Sequence, residues 1–378
     1  MKKYISWLYP LPVIALLVFA CVEPFAPPNL KVDQNLLVVD ALLNGSNGEV
    51  NVHLSRTIPL ADKTSQRPEL GASVSIVTQS GNTYLLTDVS GDGHYFKSGI
   101  SFLADDQYKL LITTSDGKKY GSDYIKLSDT PAIDSVNWKP NKDGIEIYVN
   151  THDSANKTKY YRWEYTDTWA YASAFDSNFE FTGSQPVLRS DNIHICYHNF
   201  NSSNILIKTT NVLSQDVVSQ FPLVFLPKRS ERLYIRYSIL VKQYAITKDA
   251  YEFWDLLKKN TESLGGLFDP LPSQLTGNIQ SLDDAQEAVL GYFSASNIAE
   301  NRIFIEYMDL PQSHRFSKAY PECELDTVYM ADLSTFKKGS NILVTTFGSP
   351  FPEGYLFSDN SCVDCRNQSG TNIKPTFW

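Results

Sequence analysis

The sequence predicts a mainly β chain in two parts, a sandwich over residues 35–130 and a larger β-rich domain over 131–378 that carries one prominent helix. Three observations lead there. Short segments of alternating apolar and polar residues recur from Leu36 to Leu127, turn sequences separate them, and only one later stretch sustains helical spacing. A length of 378 residues also suits two domains at roughly 100–200 residues each. The apolar content of 42% exceeds what a disordered chain holds, and a net charge of −9 argues against nucleic acid as a partner, because phosphate binding needs clustered Lys and Arg.

Before the first strand lies a leader. Lys2 and Lys3 precede an apolar run from Ile5 to Ala20 that contains Pro10 and Pro12 and is short of the roughly 20 apolar residues a spanning helix requires. Residues 1–20 therefore read as a secretory signal. The run closes Leu17-Val18-Phe19-Ala20-Cys21, which resembles a bacterial lipobox and marks Cys21 for lipidation. Residues 21–34 read as a Pro-rich tether, semi-rigid through Pro24, Pro27 and Pro28. Val22 stands where retention at the inner membrane would favour Asp, so the expected address is the outer membrane. Removal of residues 1–20 takes away two Lys and no acid, leaving 31 basic against 42 acidic residues, a net −11. Such a body is repelled by anionic head groups and is expected to touch the membrane through its anchor alone.

The sandwich follows in order. Leu36-Leu37-Val38-Val39 reads as a buried strand stopped by Asn44-Gly45, and Val50, Val52 and Leu54 alternate with polar residues. Val74–Val77 and Thr83–Leu86 flank the turn Ser80-Gly81-Asn82, then come His94–Phe96, Tyr108–Ile112 and Tyr120–Leu127. About seven short strands with tight turns are the expectation for an immunoglobulin- or transthyretin-like sandwich.

Beyond Pro131, strands are expected at Ile133–Trp138, Ile145–Val149, Tyr160–Tyr165, Ile205–Lys208, Arg232–Tyr244, Ala288–Phe293 and Arg302–Tyr307. Tyr161, Trp163 and Tyr165 share one strand face and are candidate binding aromatics, since such a row can stack on a sugar or peptide; the other reading is the inward face of a sandwich. The helix is expected at about 248–264. Thr247 is a fitting N-cap, Asp249 and Glu252 suit the first turn, Ala250, Phe253, Trp254, Leu257 and Leu264 define one apolar face, and Gly265-Gly266 supplies the stop.

Catalytic signatures are missing: the sequence has no Gly-x-Ser-x-Gly elbow, phosphate loop, His-Glu-x-x-His pair or dinucleotide fingerprint. No enzymatic activity and no cofactor are expected. His194, Cys196 and His198 alternate on one strand and could begin a zinc site, although a secreted cysteine usually pairs. Asp88-Val89-Ser90-Gly91-Asp92-Gly93 holds oxygens suited to Ca²⁺ but lacks the spacing of an EF-hand and reads better as a turn. With Cys21 set aside, Cys196, Cys323, Cys362 and Cys365 form an even set, and two disulfides with three possible connectivities are expected, a four-cysteine zinc site or unpaired thiols being the alternative.

Several stretches together resemble a known family: Cys21-Val22-Glu23-Pro24-Phe25, Leu37-Val38-Val39-Asp40, Val52-His53-Leu54-Ser55-Arg56-Thr57, Ala250-Tyr251-Glu252-Phe253-Trp254, Phe268-Asp269-Pro270-Leu271-Pro272, Gly277-Asn278-Ile279, Gly291-Tyr292-Phe293 and the closing Lys374-Pro375-Thr376-Phe377-Trp378. The chain is similar, from the lipobox to its last residue, to a Bacteroidota lipoprotein family catalogued as domain of unknown function forty-two forty-nine. What that resemblance implies is an accessory lipoprotein of a TonB-dependent outer-membrane receptor, because members are typically encoded beside such receptors. It carries no catalytic residues over. The expected role is ligand capture or docking in nutrient uptake. A surface adhesin is the alternative, and an unrecognised hydrolase is a third reading.

Overall fold

The computed structural model describes residues 35–58, 67–262, 277–315 and 320–378. The leader, the tether and Cys21 lie outside the described residues. Strands dominate, as the sequence predicts.

The first sandwich begins with β1 (Leu37–Asn44) and β2 (Glu49–Arg56), paired antiparallel. It continues through β3 (Arg67–Pro68), β4 (Ser73–Thr78), β5 (Thr83–Asp88), β6 (His94–Lys97), β7 (Gln107–Thr113), β8 (Lys119–Ser122) and β9 (Ile125–Lys126). Alternation decides which side is inside. Leu37, Val39, Ala41 and Leu43 are buried, whereas Val38, Asp40 and Leu42 face outward. β5 turns the corner, pairing with β4 through Val74–Val77 and with β6 through Thr87 and Asp88, so one continuous sheet folds over its own core.

The second sandwich sets β10 (Ile133–Pro140), β11 (Gly144–His152) and a later strand, β17, against a sheet centred on the long β12 (Tyr160–Ala172). The hairpin β13 (Phe179–Phe181) and β14 (Pro186–Leu188) leaves this module before β15 (Ile195–Asn201) and β16 (Leu206–Thr209) return to pair with the two halves of β12. β17 (Val217–Pro227) pairs with β11, and β18 (Arg236–Ala245) lies beside β12. The expected strand start at Arg232 is instead a short 3-10 turn over Glu231–Leu233, which buries Leu233 before the strand begins.

Helix α1 (Lys248–Glu262) then follows, starting where expected; Leu264 and the expected stop at Gly265-Gly266 lie outside the described residues. Thr247 caps it, its Oγ1 accepting from the Ala250 N–H at 3.2 Å. Lys258 Nζ donates to the Ile205 carbonyl at 2.9 Å and the Glu262 carboxylate accepts from the Ile205 N–H at 2.7 Å, which ties the helix to the second sandwich.

The chain next departs from the expected domain boundary. β19 (Ile279–Ser281) and β20 (Val289–Ser296) return to the first sandwich, and only β21 (Ile298–Glu306) completes the second beside β18. The division at residue 130 is thus corrected: 35–130 lacks two strands of its own module. The physical reason is edge protection. β20 runs parallel to β1 over its whole length and β19 pairs with β8, so both outer strands gain a ladder. Hydrogen bonds stitch the crossing points, from Thr130 Oγ1 to Ser296 Oγ at 2.8 Å, from the Ala245 N–H to Thr130 Oγ1 at 2.9 Å, and from the Asn297 N–H to the Ser128 carbonyl at 2.9 Å.

A third lobe closes the chain. β22 (Asp326–Tyr329), β23 (Asn341–Phe347) and β24 (Gly354–Asp359) form a small sheet, followed by the one-turn α2 (Asn360–Val363). The β13–β14 hairpin contributes Phe181 to its core with Val328, Leu343 and Tyr355. Two disulfides hold it: Cys196–Cys365 joins it to β15 of the second sandwich, and Cys323–Cys362 closes it internally. Among the described residues no helix is long and apolar enough to cross a membrane.

Candidate functional site: a cleft between the two sandwiches

Of the two readings of the aromatic row, binding platform or inward face of a sandwich, the structure supports the second. Tyr161 and Trp163 are fully buried and Tyr165 is 5% exposed. The polar atoms of Tyr161 and Trp163 point to internal partners. Tyr161 donates to Asp216 at 2.6 Å, and Trp163 Nε1 donates to Gln243 Oε1 at 2.8 Å. Gln243 in turn donates to the Pro131 carbonyl at 2.8 Å and to Thr151 Oγ1 at 3.0 Å. The row is therefore core, and the expectation that Tyr161, Trp163 and Tyr165 form a binding surface is corrected. Burial of large rings with their hydrogen-bond valences filled from within the sandwich decides the point.

The other candidates resolve similarly. Cys196 is in a disulfide, His194 Nδ1 lies 2.9 Å from Ser173 Oγ, and His198 Nε2 lies 2.9 Å from the Gln368 carbonyl while its ring stacks on Trp169 and Tyr171. Among the described residues no cluster of His, Cys, Asp or Glu is arranged to hold a metal ion. Asp88 spends its carboxylate on the Gly91 and Gly93 N–H groups at 2.8 and 3.3 Å, a turn closed on itself.

A different site emerges where the sandwiches meet. Register places Tyr292 of β20, Asp40 of β1, His53 of β2 and His94 of β6 in one row across the outer face of the first sandwich. Helix α1 lies over one end of that row. Phe253 packs on Tyr292 with ring centroids 5.3 Å apart, and Ala250 fills the space beneath. Between helix and sheet remains a cleft of about 300 Å³, lined by Val38, Asp40, Leu290, Tyr292, Trp254 and Leu257 together with Phe253 and the backbone of Val39 and Gly291. Gly291 is required here. Its φ is +137°, and a Cβ would come within 1.8 Å of the Val39 carbonyl oxygen, so any side chain would force β20 away from β1.

The second sandwich supplies the charged neighbours. Arg162 of β12 stacks on Trp254, its guanidinium carbon 3.9 Å from the ring centroid, and is ion-paired with Glu164. Tyr244 donates to the same carboxylate at 2.7 Å. Arg162 and Glu164 thus satisfy each other. Asp40 makes no hydrogen bond or ion pair among the described residues. Its side chain reaches solvent, yet protein crowds it on most sides. That crowding raises its pKa by desolvation, with Arg162 and His53 opposing and Glu164 adding to the rise. His53 moves the other way: its ring stacks on His94 with centroids 4.2 Å apart, and its pKa is lowered first by desolvation and then by His94.

The cleft is apolar with one carboxylate at its wall. Its residues went unnoticed in the sequence because Asp40 and His53 sit at outward positions of alternating strands, where polar residues are ordinary. One signal did exist: Val38-Val39-Asp40, Phe253-Trp254 and Gly291-Tyr292, which converge on the cleft, all belong to stretches that carried the family resemblance.

The family model described as a domain of unknown function (DUF4249) matches residues 22–302, about three quarters of the chain. The chain belongs to this family. The matched span covers the first sandwich, the helix, every cleft residue and the second sandwich as far as Arg302 in β21, so residues 303–378 lie beyond it, whereas the resemblance had run to the last residue. No curated protein matches the chain. Among solved structures it is similar to a segment of two fibronectin type III domains from chicken tenascin, at 11% identity over 55% of this chain and 90% of that one, with a TM-score of 0.17. So loose a superposition carries no argument.

Proposed function

We propose that the protein is a lipid-anchored, non-catalytic binding protein of the bacterial outer membrane that captures a ligand for a TonB-dependent receptor. The observation that carries this reading is the cleft between α1 and the first sandwich, a largely apolar, solvent-open recess whose one carboxylate, Asp40, has no hydrogen-bond or ion-pair partner among the described residues. The leader and Cys21 support delivery to the envelope, and the Pro-rich tether supports a body held off the lipid surface. The receptor partnership rests on the family resemblance.

The test is recovery of the native lipoprotein from gently solubilised membranes. Co-purification of an outer-membrane receptor is the expected result, lost when Cys21→Ser releases the protein from the membrane. Repeated recovery of the lipoprotein alone, under growth conditions that express the receptor, refutes the partnership.

A further inference from the structure

We infer that the cleft between β1, β20 and α1 binds a small organic ammonium, a primary amine on an apolar or aromatic body, with Asp40 as its counter-ion. This deepens the capture reading and rests on it.

Three features select that chemistry. The first is charge. Asp40 forms no ion pair among the described residues, and the permanent cation beside it, Arg162, is ion-paired with Glu164 and stacked on the Trp254 ring. The second is the lining. Val38, Leu290, Phe253, Trp254 and Leu257 offer apolar and aromatic surface, and the Tyr292 hydroxyl already faces Thr247 Oγ1 at 3.4 Å. A sugar would leave most of its hydroxyls without partners there, and an anion would meet Asp40. The third is size. About 300 Å³ lies at the small end of ligand pockets, which suits a compact amine rather than a peptide.

The experiment uses the mature full-length chain with Cys21→Ser, titrated with phenethylamine, 2-phenylethanol and phenylacetate and followed by calorimetry and tryptophan fluorescence. The amine is expected to bind at least about tenfold more tightly than the isosteric alcohol, and phenylacetate not at all. Asp40→Asn should abolish the preference for the amine while the thermal midpoint stays unchanged or rises, which separates lost recognition from lost folding. Trp254→Phe, which keeps an aromatic wall, should retain amine binding with a smaller fluorescence response. Equal binding of amine and alcohol, no amine binding at millimolar concentration, or full amine binding by the Asp40→Asn variant overturns the inference. Its failure is distinguishable from failure of the capture reading. If a receptor still co-purifies with the tethered protein, only the ligand class falls; if none does, the capture reading falls with it.

Discussion

Replacing Gln243 tests whether the aromatic face of β12 is wired into the core. Gln243 is fully buried and serves three groups: it accepts from Trp163 Nε1 at 2.8 Å and donates to the Pro131 carbonyl at 2.8 Å and to Thr151 Oγ1 at 3.0 Å. Gln243→Leu keeps the volume nearly constant and removes all of these partners. Thr151 keeps its own bond to the Ala132 carbonyl at 2.9 Å, so the main losses are the stranded indole N–H and the Pro131 carbonyl. A buried polar group left without a partner costs about 1–3 kcal/mol. Pro131 is only partly buried, which places the total at about 2–4 kcal/mol. At about 2–4 °C per kcal/mol for a domain of this size, the midpoint should fall by roughly 4–16 °C. Trp163→Phe should also destabilise, because it strands Gln243 Oε1. The double variant should cost at least about 1 kcal/mol less than the sum of the singles, since it removes both halves of one hydrogen bond. Urea and thermal unfolding of the four proteins, followed by near-ultraviolet circular dichroism, measure the cycle. A Gln243→Leu loss below about 0.5 kcal/mol, or strict additivity with Trp163→Phe, would refute the assignment of this face to the core.

Asp40→Asn should be at least as stable as the parent at pH 7. Desolvation raises the folded pKa of Asp40, so above the ordinary carboxylate range the folded chain holds a proton that the unfolded chain has released, and the parent loses stability as pH rises through the folded value; the advantage of the variant should vanish on acidification below that range, as read by melting across pH. His94→Gln should raise the pKa of His53 toward the usual histidine value, measured by proton NMR, because the stacked ring is one of the two causes of its depression. Reduction should loosen the third lobe first. The Cys196–Cys365 and Cys323–Cys362 bridges span 169 and 39 residues of sequence, worth about 5 and 4 kcal/mol in the chain-entropy description, and limited proteolysis with and without reductant should show cleavage appearing within 320–378 before either sandwich is cut. Gly291→Ala should cost at least about 2 kcal/mol in urea unfolding, since strain at a positive φ and the Val39 carbonyl both oppose the new methyl; a neutral effect would contradict the close packing of β20 on β1.

What the sequence disclosed and what it concealed divide along range. The strands of the first sandwich were legible because their alternation is local: Leu37, Val39, Ala41 and Leu43 announce a half-buried strand without reference to any partner. The helix was legible through Thr247 and the spacing of Ala250, Phe253 and Trp254. β17 was not, since Pro222 and Pro227 interrupt its pattern; the structure absorbs Pro222 at a register shift against β11, between Ile147 and Tyr148. β20 was legible as a strand but not as a member of the first sandwich, because its partner β1 lies some 250 residues away, and no local pattern records a pairing at that distance. The aromatic row gave the same alternation whether it faced ligand or core. Only Gln243 and Asp216, remote in sequence, distinguish the two.

The cleft belongs to the same class of concealed features, and its origin follows from the topology. Had the chain passed from the first sandwich to the second once, at Ser128–Pro131, Asp40 would stand on an ordinary solvated sheet face. The chain crosses twice more, near Ala245 and again at Ser296–Asn297, and the excursion between those crossings lays α1 over the outer face of β1 and β20. That excursion turns an outward acid into a crowded one. The Arg162–Glu164 pair, satisfied within the second sandwich, leaves Asp40 the one carboxylate of the cleft without a protein partner among the described residues. Every part needed for this arrangement lies within residues 22–302, the span that defines the family, whereas the disulfide-held lobe that follows contributes nothing to the lining. On the proposed reading, the binding cleft is built by β1, β20 and α1 alone.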